Sequence, residues 1–140
     1  MQIKVPQWLG QFIEKRLAAR LPRRGDQVTP CKQLRLTRRT LLYFKAEQCV
    51  ACGTVEMYIG QLAAANNLDL RVIDFRRGEL PEAVYGGQLL LDQTREIGRR
   101  YRVFSFPTLV ITDEHGVIEG AIAGGAVDRA DVSARLGLQA

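Results

Sequence analysis

Two cysteines, Cys49 and Cys52, lie at the junction between an apolar run and a helical pattern. A thiol at the first turn of a helix has its thiolate stabilised by unpaired backbone N–H groups and by the positive end of the helix dipole. A second thiol three residues later can close a small ring with the first. The spacing therefore predicts reversible dithiol–disulfide exchange. We expect Cys49 to be the more exposed nucleophile and Cys52, one turn further on, to be the buried resolving thiol.

The elements that position this pair follow from the apolar pattern. The run 40–44 leads towards the first cysteine and is typical of a strand buried on both faces. Downstream, residues 52–65 place apolar side chains on one helical face and 68–75 form a second strand. A right-handed, parallel crossover should join these two strands. The other predicted elements are a strand over 32–37, a loop with or without a short helix over 76–91, a helix over 94–101, a strand over 108–112, a turn over 113–116, a hairpin strand over 117–123 and a helix over 127–136.

Composition limits the class of protein. The chain has 140 residues, of which 46% are hydrophobic and 25% charged, values ordinary for one globular domain. No run approaches the roughly 20 apolar residues that span a bilayer. No secretory signal pattern is visible in the first 24 residues, so we expect a cytoplasmic protein. Three cysteines are too few for a disulfide scaffold and indicate chemistry or metal binding.

The net charge of +5 is unevenly distributed. Residues 1–39 carry a net charge of +8, whereas residues 40–140 carry −3. Within the basic part, 6–21 reads as an amphipathic helix with Trp8 and Phe12 on its apolar stripe. This helix would lie on an anionic membrane surface, in a partner's groove, on its own domain or on a second copy. Basicity alone, without a recognisable module, does not predict nucleic-acid binding.

Three segments, in this order, resemble the thioredoxin superfamily. They are the strand that runs into Cys49-Val50-Ala51-Cys52, the stretch 97–111 with Phe106-Pro107-Thr108 before an apolar strand, and 113–120 followed by a Gly pair and a helix. The resemblance covers about 34–138. It implies an α/β, thioredoxin-like fold with a mixed central sheet. Two parts follow: a basic N-terminal extension with its helix over 1–33 and a thioredoxin-like domain over 34–140.

The resemblance also implies a function and a substrate surface. We expect a thiol–disulfide oxidoreductase of cell redox homeostasis, acting on protein disulfides or dithiols with an unidentified redox partner, without organic cofactor or metal. The Phe106–Pro107 bond should be cis and Pro107 should lie against the sulfurs. Backbone groups of Phe106 would pair with an extended substrate segment, and Val50 and Ala51 would line the same surface.

The sequence departs from the family pattern at three places. Gln48 replaces a tryptophan, Val50-Ala51 replaces Gly-Pro, and Tyr43 stands where a buried acid manages the proton of the second thiol. A neutral phenol is not a ready base at pH 7, so Glu47, Lys45 or water would have to take that role, or Cys52 loses its proton less efficiently. The atypical inter-cysteine pair leaves the direction of electron flow open.

Other interpretations use the same residues differently. A thioredoxin-like module with inert cysteines would act as a binding adaptor. Cys31, Cys49, Cys52 and His115 include enough ligands for zinc, but no second CxxC or paired His supports a metal site. Cys31 is either a regulatory or intermolecular thiol or, as we expect, a partly buried apolar residue.

Overall fold

A mixed five-stranded sheet lies at the centre of the computed structural model, which describes residues 6–12, 21–76, 88–125 and 127–140. The strands are β1 (Thr40–Lys45), β2 (Asp69–Asp74), β3 (Gln88–Leu91), β4 (Thr108–Thr112) and β5 (Ile118–Ala123). Their order is β3-β2-β1-β4-β5. β1 and β2 are parallel, as are β2 and β3, whereas β4 is antiparallel to both β1 and β5. The predicted mixed α/β sheet and its parallel first crossover are confirmed.

The central strand β1 divides the core between the two faces of the sheet. All six residues of β1 are buried, as the continuous apolar run predicted. Alternate side chains of a strand point to opposite faces. Leu41 and Tyr43 accordingly pack in one apolar cluster, and Leu42 and Phe44 pack in the other. The first cluster includes Cys52 and the second includes Cys31.

Four α-helices flank the sheet within the described residues: α1 (Val50–Glu56), α2 (Ile59–Ala65), α3 (Glu96–Arg100) and α4 (Arg129–Leu136). The prediction of a single helix over 52–65 is therefore wrong, because the helix is interrupted between α1 and α2. At the break, Tyr58 leaves helical geometry with φ −132° and its hydroxyl donates to the carbonyl oxygen of Val127 at 2.7 Å. A distant tertiary contact thus accompanies a break that the local apolar pattern does not signal.

Two further predictions need correction. The strand predicted over 32–37 is absent, because Lys32–Leu34 forms a 3₁₀ turn that ends at Arg35 in the left-handed region with φ 48°. The loop predicted over 76–91 ends in strand β3, where Leu89 pairs with Val72 of β2. Residues 77–87 of that predicted loop lie outside the described residues.

The segment 21–31 packs against the β4–β5 hairpin. The backbone N–H of Gly25 donates to the Ile118 carbonyl at 2.8 Å, and that of Val28 donates to the Gly116 carbonyl at 2.9 Å. Gly116 has φ +87°, and a side chain there would overlap the carbonyl oxygen of Val28, so this turn requires glycine. Val28 is buried. The division between residues 1–33 and 34–140 stays a prediction, but part of the extension packs in the core.

The predicted N-terminal helix is described in part. Residues 7–12 are helical, and the remainder of the predicted span up to residue 20 lies outside the described residues. Trp8 is 69% exposed and Phe12 is 50% exposed. Among the described helices, none is both long enough and apolar enough to span a membrane.

Candidate active site

Cys49 and Cys52 form a disulfide at the start of α1, four residues beyond the end of β1. The two sulfurs are 2.20 Å apart and the two Cα atoms are 5.2 Å apart. Cys49 is partly exposed, whereas Cys52 is only 2% exposed and belongs to the core cluster on the α1 face of the sheet. One sulfur therefore lies at the surface and the other beneath it.

The helix start brings a backbone donor to the outer sulfur. Cys49 is the N-cap residue of α1, with extended φ −100° and ψ 102°. Its Sγ accepts a hydrogen bond from the backbone N–H of Cys52 at 3.1 Å. The preceding residue, Gln48, has φ 56° and turns the chain from the end of β1 into this geometry. A hydrogen bond of this kind stabilises negative charge on sulfur.

The Phe106–Pro107 loop lies at the same end of the sheet as the cysteines. The bond between these two residues is cis, the geometry that the resemblance implies. Phe44 of β1 faces Thr108 of β4 in the antiparallel register, so Pro107 lies just before β4, where β1 ends. Gly124 donates its N–H to the Pro107 carbonyl at 3.0 Å. Phe106 packs against both core clusters.

An aromatic contact with Phe75 supports the Phe106–Pro107 loop. The rings of Phe106 and Phe75 meet edge to face with centroids 5.0 Å apart. Phe75 directly follows β2, and its ring lies over Gly98 of α3 so closely that a Cβ there would overlap the ring. Gly98 therefore makes room for Phe75, which in turn contacts Phe106.

A cavity of about 430 Å³ opens beside the disulfide. Its charged or redox lining residues are Lys45, Glu47, Cys49, Cys52, Glu56 and Arg76. The cations have acidic neighbours: Lys45 pairs with Glu56, and Arg76 pairs with the fully buried Asp74 at 2.8 Å. Val50 is 90% exposed at the edge of this cavity, and Ala51 is half-buried.

Tyr43 lies beneath Cys52, at the position that the resemblance assigns to a buried acid. Its hydroxyl oxygen lies 3.1 Å from both the Cys52 carbonyl oxygen and Oε1 of Glu56, and its single proton can be donated to either of them. Sequence reasoning did not identify Glu56. The available signal was its spacing, because a residue four positions after Cys52 on a helix lies on the same face. Of the residues that sequence reasoning offered for proton handling, Lys45 contacts Glu56 and Glu47 lies at the exposed side of the cavity.

Of the four residues of the considered zinc site, Cys49 and Cys52 are joined as a disulfide, and Cys31 and His115 are not grouped with them. Cys31 is 4% exposed in the core cluster opposite the one that contains Cys52, and burial is the main reason that its pKa is raised. The His115 side chain is 78% exposed in the turn before β5. Within the part of the chain that the structure describes, no group of three or more His, Cys, Asp or Glu side chains is arranged to hold a metal ion.

Comparisons with known proteins identify the fold. No protein-family model matches the chain, and no curated protein matches it in sequence. Among solved structures, a thio-disulfide isomerase from Thermus thermophilus superposes with a TM-score of 0.56 and 19% identity, covering 86% of this chain and 97% of that one. A secreted Mycobacterium tuberculosis disulfide oxidoreductase homologous to E. coli DsbE gives 0.57 and 19%, covering 81% and 95%. The exposed lipoprotein thioredoxin of Streptococcus pneumoniae gives 0.55 and 16%, covering 81% and 98%. The chain has a thioredoxin-like fold.

Proposed function

We propose that this thioredoxin-like chain is a thiol–disulfide oxidoreductase that uses Cys49 and Cys52 on protein substrates. The observation that carries the proposal is the Cys49–Cys52 disulfide at the start of α1, with one sulfur partly exposed and the other buried. This asymmetry assigns two roles. A substrate sulfur can approach Cys49 from solvent, whereas Cys52 is only 2% exposed and is shielded from a protein substrate.

The reaction proceeds in two exchange steps. In the reduced protein, the Cys49 thiolate attacks a substrate disulfide, a mixed disulfide forms, and one substrate sulfur leaves as a thiolate. Cys52 then loses its proton and attacks the Cys49 sulfur, which breaks the mixed disulfide and releases the second substrate sulfur. The products are the reduced substrate and the Cys49–Cys52 disulfide. The same steps in reverse oxidise a substrate dithiol.

The surface around Cys49 supports recognition of an extended substrate segment. Val50 is exposed beside the disulfide, and Phe106 and Pro107 precede β4 at the same end of the sheet. We assign substrate contact to Val50, Ala51, Phe106 and Pro107. Backbone groups of Phe106 would pair with the substrate main chain, a mode that tolerates many side chains.

The proposal leaves two properties to measurement, the direction of electron flow and the cellular compartment. A reduction potential near the thioredoxin level of about −270 mV argues for a reductant, and one near about −120 mV argues for an oxidant. A cytoplasmic location is proposed from the sequence alone. Two of the similar proteins are described as a secreted and as an exposed protein, so fractionation of tagged cells is the measurement that decides.

Insulin reduction by dithiothreitol tests the function. The wild-type chain should accelerate the precipitation of reduced insulin, and Cys49→Ser should remove that acceleration. Cys31→Ser is the matched control, because Cys31 is a buried cysteine in the other core cluster and should leave the rate within about twofold. A wild type no faster than Cys49→Ser would favour a redox-inert adaptor. Liposome co-sedimentation of the full chain and of residues 26–140 would then test whether the helix predicted over 6–21 binds membranes.

A further inference from the structure

Three hydrogen-bonding side chains, those of Tyr43, Lys45 and Glu56, meet beside the backbone of Cys52. Tyr43 is fully buried, and its hydroxyl lies 3.1 Å from both the Cys52 carbonyl oxygen and Glu56 Oε1. Lys45 is only 6% exposed, and its Nζ contacts the same Glu56 oxygen. Holding a lysine and a glutamate in such a place is costly unless the two are paired, so the trio is a built feature of the site.

Glu56 lies on the same face of α1 as the resolving cysteine. Glu56 follows Cys52 by four residues on α1, and side chains with this spacing share a helical face with Cβ atoms about 5–6 Å apart. Both residues line the cavity of about 430 Å³ beside the disulfide. This spacing would allow a proton to pass from the thiol to the carboxylate, directly or through one intervening water.

The Tyr43 hydroxyl allows Glu56 to exist in two protonation states. A hydroxyl has one proton, yet both of its neighbours here are acceptors. When Glu56 is ionised, the hydroxyl donates to its carboxylate. When Glu56 is protonated, its carboxyl group can donate to the Tyr43 oxygen, while the Tyr43 hydroxyl donates to the Cys52 carbonyl. A rotation of one hydroxyl thus avoids the cost of an unpaired buried group in either state.

We propose that Glu56 accepts the proton of the Cys52 thiol in the resolving step, and that Lys45 and Tyr43 position its carboxylate. This inference rests on the proposed oxidoreductase function. In the step, the Cys52 S–H bond breaks and its proton goes to the Glu56 carboxylate. The electron pair left on the Cys52 sulfur forms the bond to Cys49, the bond between Cys49 and the substrate breaks, and the substrate sulfur leaves as a thiolate. That thiolate, or solvent, then removes the proton from Glu56.

The other charged groups around the cavity fit this role less well. Glu47 is exposed in the loop after β1, where solvent screens its charge. Arg76, after β2, is held by Asp74, whose carboxylate accepts from both the backbone N–H and Nε of Arg76. Among the described residues that line the cavity, Glu56 is thus the partly buried carboxylate on the same helical face as Cys52. Glu47→Gln is therefore the matched control for Glu56→Gln.

A two-step reaction with Ellman's reagent separates the roles. In a Cys31→Ser background, attack by Cys49 releases one thionitrobenzoate, and attack by Cys52 on the resulting mixed disulfide releases a second. At pH 7, Glu56→Gln should leave the first release within about twofold and slow the second by about tenfold or more. By pH 9 the difference should shrink, because hydroxide then removes the Cys52 proton. Glu47→Gln should behave as the unmutated background does.

Several results would overturn the proposal. The proposal is wrong if Glu56→Gln leaves the second release unchanged or slows both releases equally. It is also wrong if the slowing of the second release persists undiminished at pH 9, because that result indicates a purely structural role. If Glu56→Gln does not fold, Glu56→Asp carries the test. It keeps the negative charge but shortens its reach, so a selectively slower second release supports the proposal and an unchanged one contradicts it. If the Cys31→Ser background itself releases no second thionitrobenzoate, the oxidoreductase function fails first.

Discussion

The sulfur of Cys49 accepts a hydrogen bond from the backbone N–H of Cys52 at 3.1 Å, so the residue that carries the inner thiol also donates to the outer one. The two cysteines share a helix start but differ in access, since Cys49 is partly exposed and Cys52 is 2% exposed. The Cys49 sulfur therefore has the backbone donor, and Cys49 has the greater access to solvent.

This asymmetry predicts the order of alkylation in the reduced protein. With substoichiometric iodoacetamide at pH 7, Cys49 should be modified about tenfold faster than Cys52, because the thiolate is the reactive form and Cys52 is shielded. Peptide mass spectrometry after brief reaction measures both rates. Equal rates, or faster modification of Cys52, would contradict the assigned roles.

The Cys31 thiol should be unreactive towards thiol reagents in the native protein. Burial raises its pKa, the nearby Glu96 and Asp92 add to that increase, and Arg100 opposes it. A raised pKa leaves less thiolate at any given pH, so its reaction should be slow at pH 7 and should rise only above the range of an ordinary cysteine. With Ellman's reagent, the reduced native protein should release two thionitrobenzoates, one through each active-site cysteine, and the protein unfolded in guanidinium should release three. Three fast thiols without denaturant would refute this.

Gly98 should be intolerant of any side chain. A methyl group there would overlap the Phe75 ring, which is held by its edge-to-face contacts with Phe44 and Phe106. Overpacking of this kind lowers the free energy of unfolding, and we expect a loss of about 1–3 kcal/mol for Gly98→Ala by urea denaturation.

Gly53→Ala is the matched control for that substitution. Gly53 lies within α1, and a Cβ there would meet no atom within 4 Å. Replacing a helical glycine by alanine at an open site should raise the free energy of unfolding by about 0.5–1 kcal/mol. Similar effects of the two substitutions would show that the Phe75 ring does not restrict Gly98.

Two buried tyrosines predict a loss of stability in alkali. Burial is the main cause that raises the pKa of Tyr58 and of Tyr101 to about 12. Each tyrosine has a higher pKa in the folded chain than the ordinary value of about 10. Its contribution to the free energy of unfolding is therefore intact below pH 10 and is lost as the pH rises towards 12. Urea denaturation between pH 8 and 11.5 should show a falling free energy of unfolding. The slope should be shallower in Tyr58→Phe and Tyr101→Phe, and an unchanged slope would contradict the prediction.

The parts of the fold that sequence reasoning predicted correctly are those with a strong local pattern. The run from Thr40 is apolar at nearly every position, which is typical of a central strand, and Asp113 with Gly116 has the composition of a turn. Phe106 and Pro107 lie just before β4, at the end of the sheet where β1 finishes, and their role in substrate contact stays a prediction. These features depend on near neighbours or on a motif that the chain retains.

The missed features depend on contacts between distant residues. The break at Tyr58 coincides with a hydrogen bond to Val127, 69 positions away, and β3 has only a short apolar run that gains its partners from β2. The alternation at Leu34 and Leu36 is too brief to distinguish a strand from a turn, and Arg35 adopts left-handed geometry. Glu56 could not be assigned a role until β1 placed Lys45 and Tyr43 beside it.

The strip of chain that includes Gln27 has a consequence for solubility. Among the described strands, β5 is the outermost on its side of the sheet, and Gln27 forms an antiparallel bridge with Val117 just before it. An uncovered outermost strand offers its free amides and carbonyls to any other chain in extended form and so invites aggregation. Because the backbone around Gln27 already occupies the first of those positions, the start of this sheet edge is closed to strand pairing with another molecule.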